Sequence, residues 1–466
     1  MLRPAERLTL LAILTLVGLV LRLGYWRETA VVNPIRADAA QYVQYARNLV
    51  QHQVFSLATE QPVVPDSYRS PGYPAFLALV LLAAGESGFY EAVRLVQALL
   101  GALLVPLAFL LARTWLAPGA CLLVAALTAL SPHLVASTGY VLSEALFAPL
   151  LLTALMCTQR IATRRTPWSG VLAGLAFGLA ALCNETAALL PPLLAVIHWR
   201  RGSEHRAWLA FAATGVLVAG AWQVRNRLTV GEEAPSGGER VLATLSHGTY
   251  PDFFFATEAC RKYPYKEDPE QPEFGSSPQR FVQVFGQRFA QSPLRYLAWY
   301  VLEKPLHLWG WNIVQGQGDV YVYEVGRSLY AEQPVAGFTR VLMKLLHPLL
   351  VVAAAVALLR RRVPILVAAT LLYFTCIYTL FLPCPRYVTP LRPMLFIAGI
   401  CGFQALRAVW HEVAVAARQW RPPVSCRVRK TGPGPGNTAP AAQGVGGGAR
   451  YGPDRSHVQE STLSGT

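Results

Sequence analysis

Residues 33–85, NPIRADAAQYVQYARNLVQHQVFSLATEQPVVPDSYRSPGYPAFLALVLLAAG, form the first long polar interruption after a hydrophobic opening segment. From Asp38 onward, Ala39, Tyr42, Val43, Ala46, Leu49 and Val50 recur at the spacing of one face of a 3.6-residue helix. Asp38 thus opens a short amphipathic helix, and with Gln41 three residues later it makes a capping-box pattern. The same carboxylate would lie on a helix at a membrane surface, between two hydrophobic spans, where lipid headgroups sit. Helix cap and active acid both stand as readings of Asp38.

The chain has 466 residues, 53% of them hydrophobic and 14% charged, with a mean hydropathy of +0.35. That balance indicates a polytopic membrane protein whose solvent is lipid. A net charge of +15 ordinarily raises nucleic acid as a partner. Here the arginines lie in short connections between apolar segments, not in one patch interleaved with aromatics, so they set topology instead. The eight cysteines include no C-x-x-C pair, and neither a zinc site nor a disulfide framework is indicated. Only Cys260 and Cys384 fall in segments expected to face an oxidising compartment.

About ten spans are expected, at residues 8–26, 90–113, 117–136, 141–158, 168–183, 186–199, 207–224, 338–359, 363–382 and 388–409. Arg113, then Arg160, Arg164 and Arg165, then Arg200, Arg201 and Arg206 mark alternate junctions as cytoplasmic, which puts the Asp38 loop outside. Residues 71–84 are short for a crossing, and counting them as one inverts every later basic junction. They read as a helix resting on the outer surface. Residues 226–337 carry 13 of the 26 acids and form the main outer region, within which 293–312 reads as an interfacial or re-entrant helix. The expected architecture is all-α. A transmembrane module covers 1–409, with a first extracytoplasmic loop at 27–89 holding interfacial helices and a larger one at 226–337. A Gly-, Pro- and Ser-rich stretch at 410–466 is expected as a disordered cytoplasmic tail, so that both termini are cytoplasmic.

Under this topology the outer surface collects Asp38, Tyr68, Arg69, His133, Glu144, Glu185, Arg225, Lys304 and Arg386. Ionisable groups at membrane depth are costly and mark functional sites. Glu144, in TGYVLSEALFAPL, either caps a helix together with Ser143 or belongs to the chemistry. Arg225, in AWQVRNRLTVG, and Arg386, in PCPRYVTPLRP, either snorkel to the interface or grip a phosphate through paired N–H donors. His133, after a proline, reads as structural, and Glu185 as a solvated hairpin tip without an assigned role.

The order of a first span, ADAAQYVQYARNL, SYRSPGYPAFLAL, SEALF, WQVRN and PRYVTPLRPML resembles the GT-C class of membrane glycosyltransferases. The likeness is to the branch with protein mannosyltransferases, lipid A aminoarabinose transferase and rhizobial lipopolysaccharide sugar transferases, and it covers residues 8–403. The resemblance implies a sugar donor carried on a polyprenyl phosphate and transfer on the outer membrane face. Asp38 matches the family's first-loop acid, Glu144 its second acidic position, and Arg386 with Tyr387 an outer RY motif. Two departures stand out. Ala39 follows Asp38 where relatives have a second acid, and Glu185 stands where they have a basic or polar residue.

Displacing a phosphate from an anomeric carbon needs a base for the acceptor hydroxyl and positive charge for the leaving group. Asp38 is the expected base, Glu144 orients acceptor or sugar, and Tyr68, Arg69, Arg225, Lys304, Arg386 and Tyr387 are the expected substrate and phosphate contacts. One base implies an inverting displacement. The acceptor is a lipid, glycan or protein, membrane lipids are further partners, and nucleic acid is not. No cofactor is required by this reading, although a divalent cation stays open because two isolated acids are not a D-x-D site. The alternative is a transporter or flippase of lipid-linked sugars, against which stand acids gathered at one surface and no matching halves.

Overall fold

The structure is a computed structural model that describes residues 3–200, 204–253, 268–275, 277–313, 320–321 and 323–419. In chain order, α1 (Pro4–Glu28) leads through β1 (Ala30–Val31) to α2 (Asp38–His52) and α3 (Gly72–Ala112). Next come α4 (Pro118–Leu130), α5 (Pro132–Ala136), α6 (Glu144–Arg164), α7 (Pro167–Cys183), α8 (Leu190–Trp199) and α9 (His205–Thr229). The larger loop contributes α10 (Gly237–Gly248), α11 (Gln271–Phe274), α12 (Pro278–Gln291), α13 (Pro293–Ala298), α14 (Lys304–Leu308), β2 (Val325–Arg327) and α15 (Leu329–Glu332). Last are α16 (Pro334–Leu359), α17 (Ile365–Leu380), a 3-10 segment at Pro385–Leu391, and α18 (Arg392–Gln419).

The chain is a multi-pass helical membrane protein. Among the described residues six helices are long and apolar enough to cross a bilayer, seven if the α4 and α5 region, bent by 52°, is one span. Their apolar side chains face outward as lipid-facing ones do, Leu8 being 66% and Val20 58% exposed. Helices α7 and α17 are shorter apolar helices. This test of length and composition gives fewer helices than the expected ten or so spans, and the clearest difference is at residues 186–199. There a 3-10 turn at Glu185–Ala187 and the ten-residue α8 replace a full span. At 1.5 Å per residue, α8 reaches about 15 Å, half the hydrocarbon thickness. Its start carries Pro191 and Pro192, which hydropathy counts as neutral but which keep the preceding turn out of the helix.

The reading of residues 71–84 as separate from the following span has a structural counterpart. Residues 72–112 run as two helical segments joined at Gly85, whose φ 67° and ψ 171° break the helical path between them. Gly72 opens α3 against the end of α7, where a Cβ would come 2.8 Å from the Leu182 carbonyl. Helices α7 and α9 pack closely because Gly170, Gly174 and Gly178 recur every fourth residue, and a Cβ at Gly170 would sit 2.0 Å from the Ala207 carbonyl oxygen.

Two regions far apart in sequence join beside α2. Strand β1 pairs antiparallel with β2, Ala30 opposite Arg327 and Val31 opposite Val325. Arg94 of α3 donates to the carbonyls of Trp26 at 2.6 Å and Thr29 at 2.9 Å, closing the end of α1. The described residues through Glu412 form one compact unit. Helix α18 continues through Gln419, past the expected boundary at 409, and the rest of the expected tail lies outside the described residues, as does Cys260.

Candidate active site

Helix α2 begins at Asp38 as its apolar spacing requires, and Ala39, Val43 and Ala46 are buried on the face toward α3. The capping box is not what holds it. The helix N-cap is Ala37, with no side-chain cap, and Asp38 and Gln41 both point to arginines instead. Ala37 has φ 47° and ψ −122°, a strained conformation for a residue with a Cβ. It persists because its neighbour is clamped: the Tyr323 hydroxyl donates to the Arg36 carbonyl at 3.0 Å, and the Arg36 guanidinium lies 4.5 Å from the Tyr323 ring centre.

Three segments converge on Asp38. Arg69, from the SYRSPGYP turn, donates Nη2 to Asp38 Oδ1 at 2.5 Å and Nε to Gln41 Oε1 at 2.7 Å. Arg386, from the 3-10 segment before α18, donates Nη2 to Asp38 Oδ2. On its other edge, Arg386 Nε lies 3.6 Å from Glu144 Oε1 at the start of α6. Each oxygen of one carboxylate thus faces a separate guanidinium, and one guanidinium bridges two carboxylates. Burial acts to raise the pKa of Asp38, but Arg386 and Arg69 outweigh it and hold the carboxyl well below its ordinary range. Burial pushes the Tyr323 phenol up to about 12, so it stays a hydrogen-bond donor at neutral pH.

Of the residues singled out from sequence, Asp38, Arg69, Glu144 and Arg386 meet in this cluster. Ser143 makes no side-chain cap to α6, so Glu144 is not acting in a cap with it. Tyr387 packs its ring 5.1 Å from the Arg386 guanidinium, and Tyr68 lies 5.7 Å from that of Arg69. His133 is structural as expected, buried with Nε2 2.8 Å from the Trp311 carbonyl. Two expected phosphate contacts are placed elsewhere. Arg225 donates to the Asp66 carbonyl at 2.9 Å and lies 4.7 Å from the Trp222 ring centre, which fastens the 65–70 loop. Lys304 is fully buried and donates Nζ to the carbonyls of Thr379 and Phe381, each at 2.8 Å, at the end of α17. Burial pushes its ammonium down to about 6, while the carbonyl end of the helix favours the charged form.

Lys304 is therefore better placed to hold the turn that leads to Arg386 than to touch a phosphate. Lys304→Met is expected to lower thermal stability by about 1–3 kcal/mol and transfer with it. A scan of denaturation midpoints beside donor titrations checks this. Unchanged stability with donor affinity alone weakened would return Lys304 to the phosphate-contact role.

Sequence reasoning missed Gln41 as an arginine partner, Tyr323, and the pair made by Arg240 with Glu185. Arg240 donates Nε to the Tyr68 carbonyl at 2.8 Å and pairs with Glu185, which also accepts from the Ser70 hydroxyl. Glu185 is thus part of the support beneath the Arg69 turn, not a free hairpin tip. The residues present do not suit a divalent cation. Asp38 and Glu144 are interleaved with two guanidiniums that would repel it, and among the described residues no cluster of three His, Cys, Asp or Glu exists.

Residues 68–222, which include Arg69 and Glu144, match the family described as dolichyl-phosphate-mannose-protein mannosyltransferase. No curated protein matches this chain in sequence. Among solved structures, the archaeal oligosaccharyltransferase AglB from Archaeoglobus fulgidus, in complex with an inhibitory peptide and a dolichol-phosphate, is 12% identical with a TM-score of 0.44, covering 89% of this chain and 52% of that one. The Archaeoglobus fulgidus oligosaccharyltransferase in complex with Zn and sulfate is 12% identical with a TM-score of 0.47, covering 88% and 50%. ArnT from Cupriavidus metallidurans bound to undecaprenyl phosphate is 16% identical with a TM-score of 0.37, covering 89% and 81%. This chain spans about half the length of the archaeal structures.

Proposed function

We propose that this chain transfers a sugar from a polyprenyl-phosphate-linked donor to a hydroxyl of a lipid, glycan or protein acceptor at the extracytoplasmic face of the membrane. The observation that carries this reading is the convergence of Arg69 and Arg386 on the two oxygens of Asp38. Two guanidiniums held by one carboxylate are a phosphate site whose stand-in anion belongs to the protein. The matched family's own description, with its dolichyl-phosphate donor, fits the same chemistry.

The donor phosphate replaces Asp38 as the partner of Arg69 and Arg386. Freed of both positive neighbours but still partly buried, Asp38 rises toward and above its ordinary pKa and becomes a competent base. It takes the proton of the acceptor hydroxyl as that oxygen bonds to the anomeric carbon. The bond from that carbon to the phosphate oxygen breaks, and the electron pair leaves with the phosphate, stabilised by the two arginines. Attack opposite the leaving group inverts the anomeric centre. Glu144, held by Arg386, keeps that guanidinium aimed while the anions exchange.

Membrane vesicles supplied with a radiolabelled polyprenyl-phosphate sugar test this reading. Label is expected to move from lipid donor to acceptor with inverted configuration. Movement of intact donor across the bilayer without bond breakage would establish a flippase, and a retained anomer would overturn the single-base mechanism.

A further inference from the structure

A second site lies across the membrane from Asp38. Helices α3, α16 and α18 each run from the Asp38 side, and around their far ends is a cavity of about 920 Å³. Its lining includes Thr114 and Trp115 after α3, Arg360 and Arg362 after α16, and Gln404 and Glu412 on α18. Gln404 and Glu412 stand about 18 and 30 Å along α18 from Arg392, near the opposite surface of a bilayer.

The turn that follows α16 presents its charges in a particular way. Arg361 adopts a left-handed conformation with φ 54°, and Arg360 and Arg362 on either side of it line the cavity while Arg361 does not. Both lining arginines are exposed, and among the described residues neither pairs with an acid. The single carboxylate in the lining, Glu412, leaves the cavity with an excess of positive charge. Trp115, half-buried, brings the amphipathic ring that favours the headgroup level, and exposed Phe403, Leu406 and Trp410 extend an apolar flank down α18.

The geometry points to a binding site for the headgroup of an anionic phospholipid, its phosphate between Arg360 and Arg362 and its acyl chains along α18. Paired guanidiniums beside an indole, open to the lipid phase, select a phosphate that is attached to hydrocarbon. By sequence, residues 418–430 carry Arg418, Arg421, Arg427, Arg429 and Lys430 and no acid, which adds to the chain's attraction for an anionic membrane.

The test uses the full chain in nanodiscs of phosphatidylcholine doped with spin-labelled phosphatidylglycerol, reading the immobilised lipid fraction. Wild type is expected to retain the anionic label, and Arg360→Gln with Arg362→Gln to retain on the order of tenfold less. Arg361→Gln, one charge removed from the same turn but outside the cavity, is expected to retain as much as wild type. Equal losses in Arg361→Gln and the double variant would reduce the effect to bulk surface charge and overturn the site. So would equal retention of labelled phosphatidylcholine. Displacement of the label by millimolar inorganic phosphate alone would make a soluble anion the ligand and overturn the lipid assignment. Asp38→Asn is expected to retain the label fully, so failure of sugar transfer and failure of this site are read separately.

Discussion

Asp38→Asn is expected to lower the turnover of sugar transfer by about 10²–10⁴-fold, the range for loss of a general base, while donor binding stays the same or tightens. The two effects separate because Asp38 has two roles in turn. In the free protein it neutralises Arg69 and Arg386, and so competes with the donor phosphate for them. An amide removes that competition and removes the base. The pH dependence follows with its sign fixed. A carboxyl held low by arginines is ionised throughout the ordinary range, so kcat/KM shows no acid limb from Asp38 near neutrality. Once phosphate has taken the arginines, the pKa rises and kcat acquires an acid limb at higher pH. Steady-state kinetics on both proteins checks the split. Wild-type turnover in Asp38→Asn would remove Asp38 from the chemistry and restore it to a structural role.

Arg386→Gln is expected to be as damaging and for a different reason. Arg386 is 8% exposed and, among the described residues, is the one positive group paired with both carboxylates. Removing one member of such a buried set costs about 3–5 kcal/mol, because the remaining charges are left without compensation. Asp38 and Glu144 would then repel across the space the guanidinium filled. Transfer falls through lost phosphate binding and the thermal midpoint falls as well. Arg386→Lys is expected to recover much of the stability and little of the transfer, since an ammonium supplies charge without the planar fork. Parallel measurement of midpoint and donor affinity distinguishes the two. Full donor affinity in Arg386→Lys would show that charge alone suffices.

How much of this was legible in the sequence depends on the range of the interaction. Asp38, Arg69, Glu144 and Arg386 were recognisable because each sits in a short motif at the end of a hydrophobic segment, and topology put those ends on one side. The basic junctions set residues 71–84 apart from the span at 90–113, and the structure breaks the helix between the two at Gly85. What escaped depends on contacts with no local pattern. Tyr323 reaches Arg36 across 287 residues, and Arg240 reaches Glu185 from inside a polar loop that reads as mere connection. Arg225 and Lys304 were expected as phosphate contacts because a cation at a span's end looks alike in sequence whether it faces a ligand or the carbonyl groups it meets in the structure. The short helix at 190–199, where a span over 186–199 was expected, reflects a further limit, for hydropathy measures whether a segment tolerates lipid and not how prolines set the start of a helix.

The small ribbon of β1 and β2 bears on when the protein becomes active during its synthesis. Ala30 waits for Arg327 as its partner, and the Leu329 amide donates to the Thr29 hydroxyl across 300 residues. The ribosome must therefore complete most of the chain before the segment carrying Asp38 is fastened at its upstream end. Arg386 arrives later still. A nascent chain stopped after α9 would hold inserted helices and an acid with neither its late arginine nor its anchor, so early insertion into the membrane and acquisition of a working site are separate events in the life of the polypeptide.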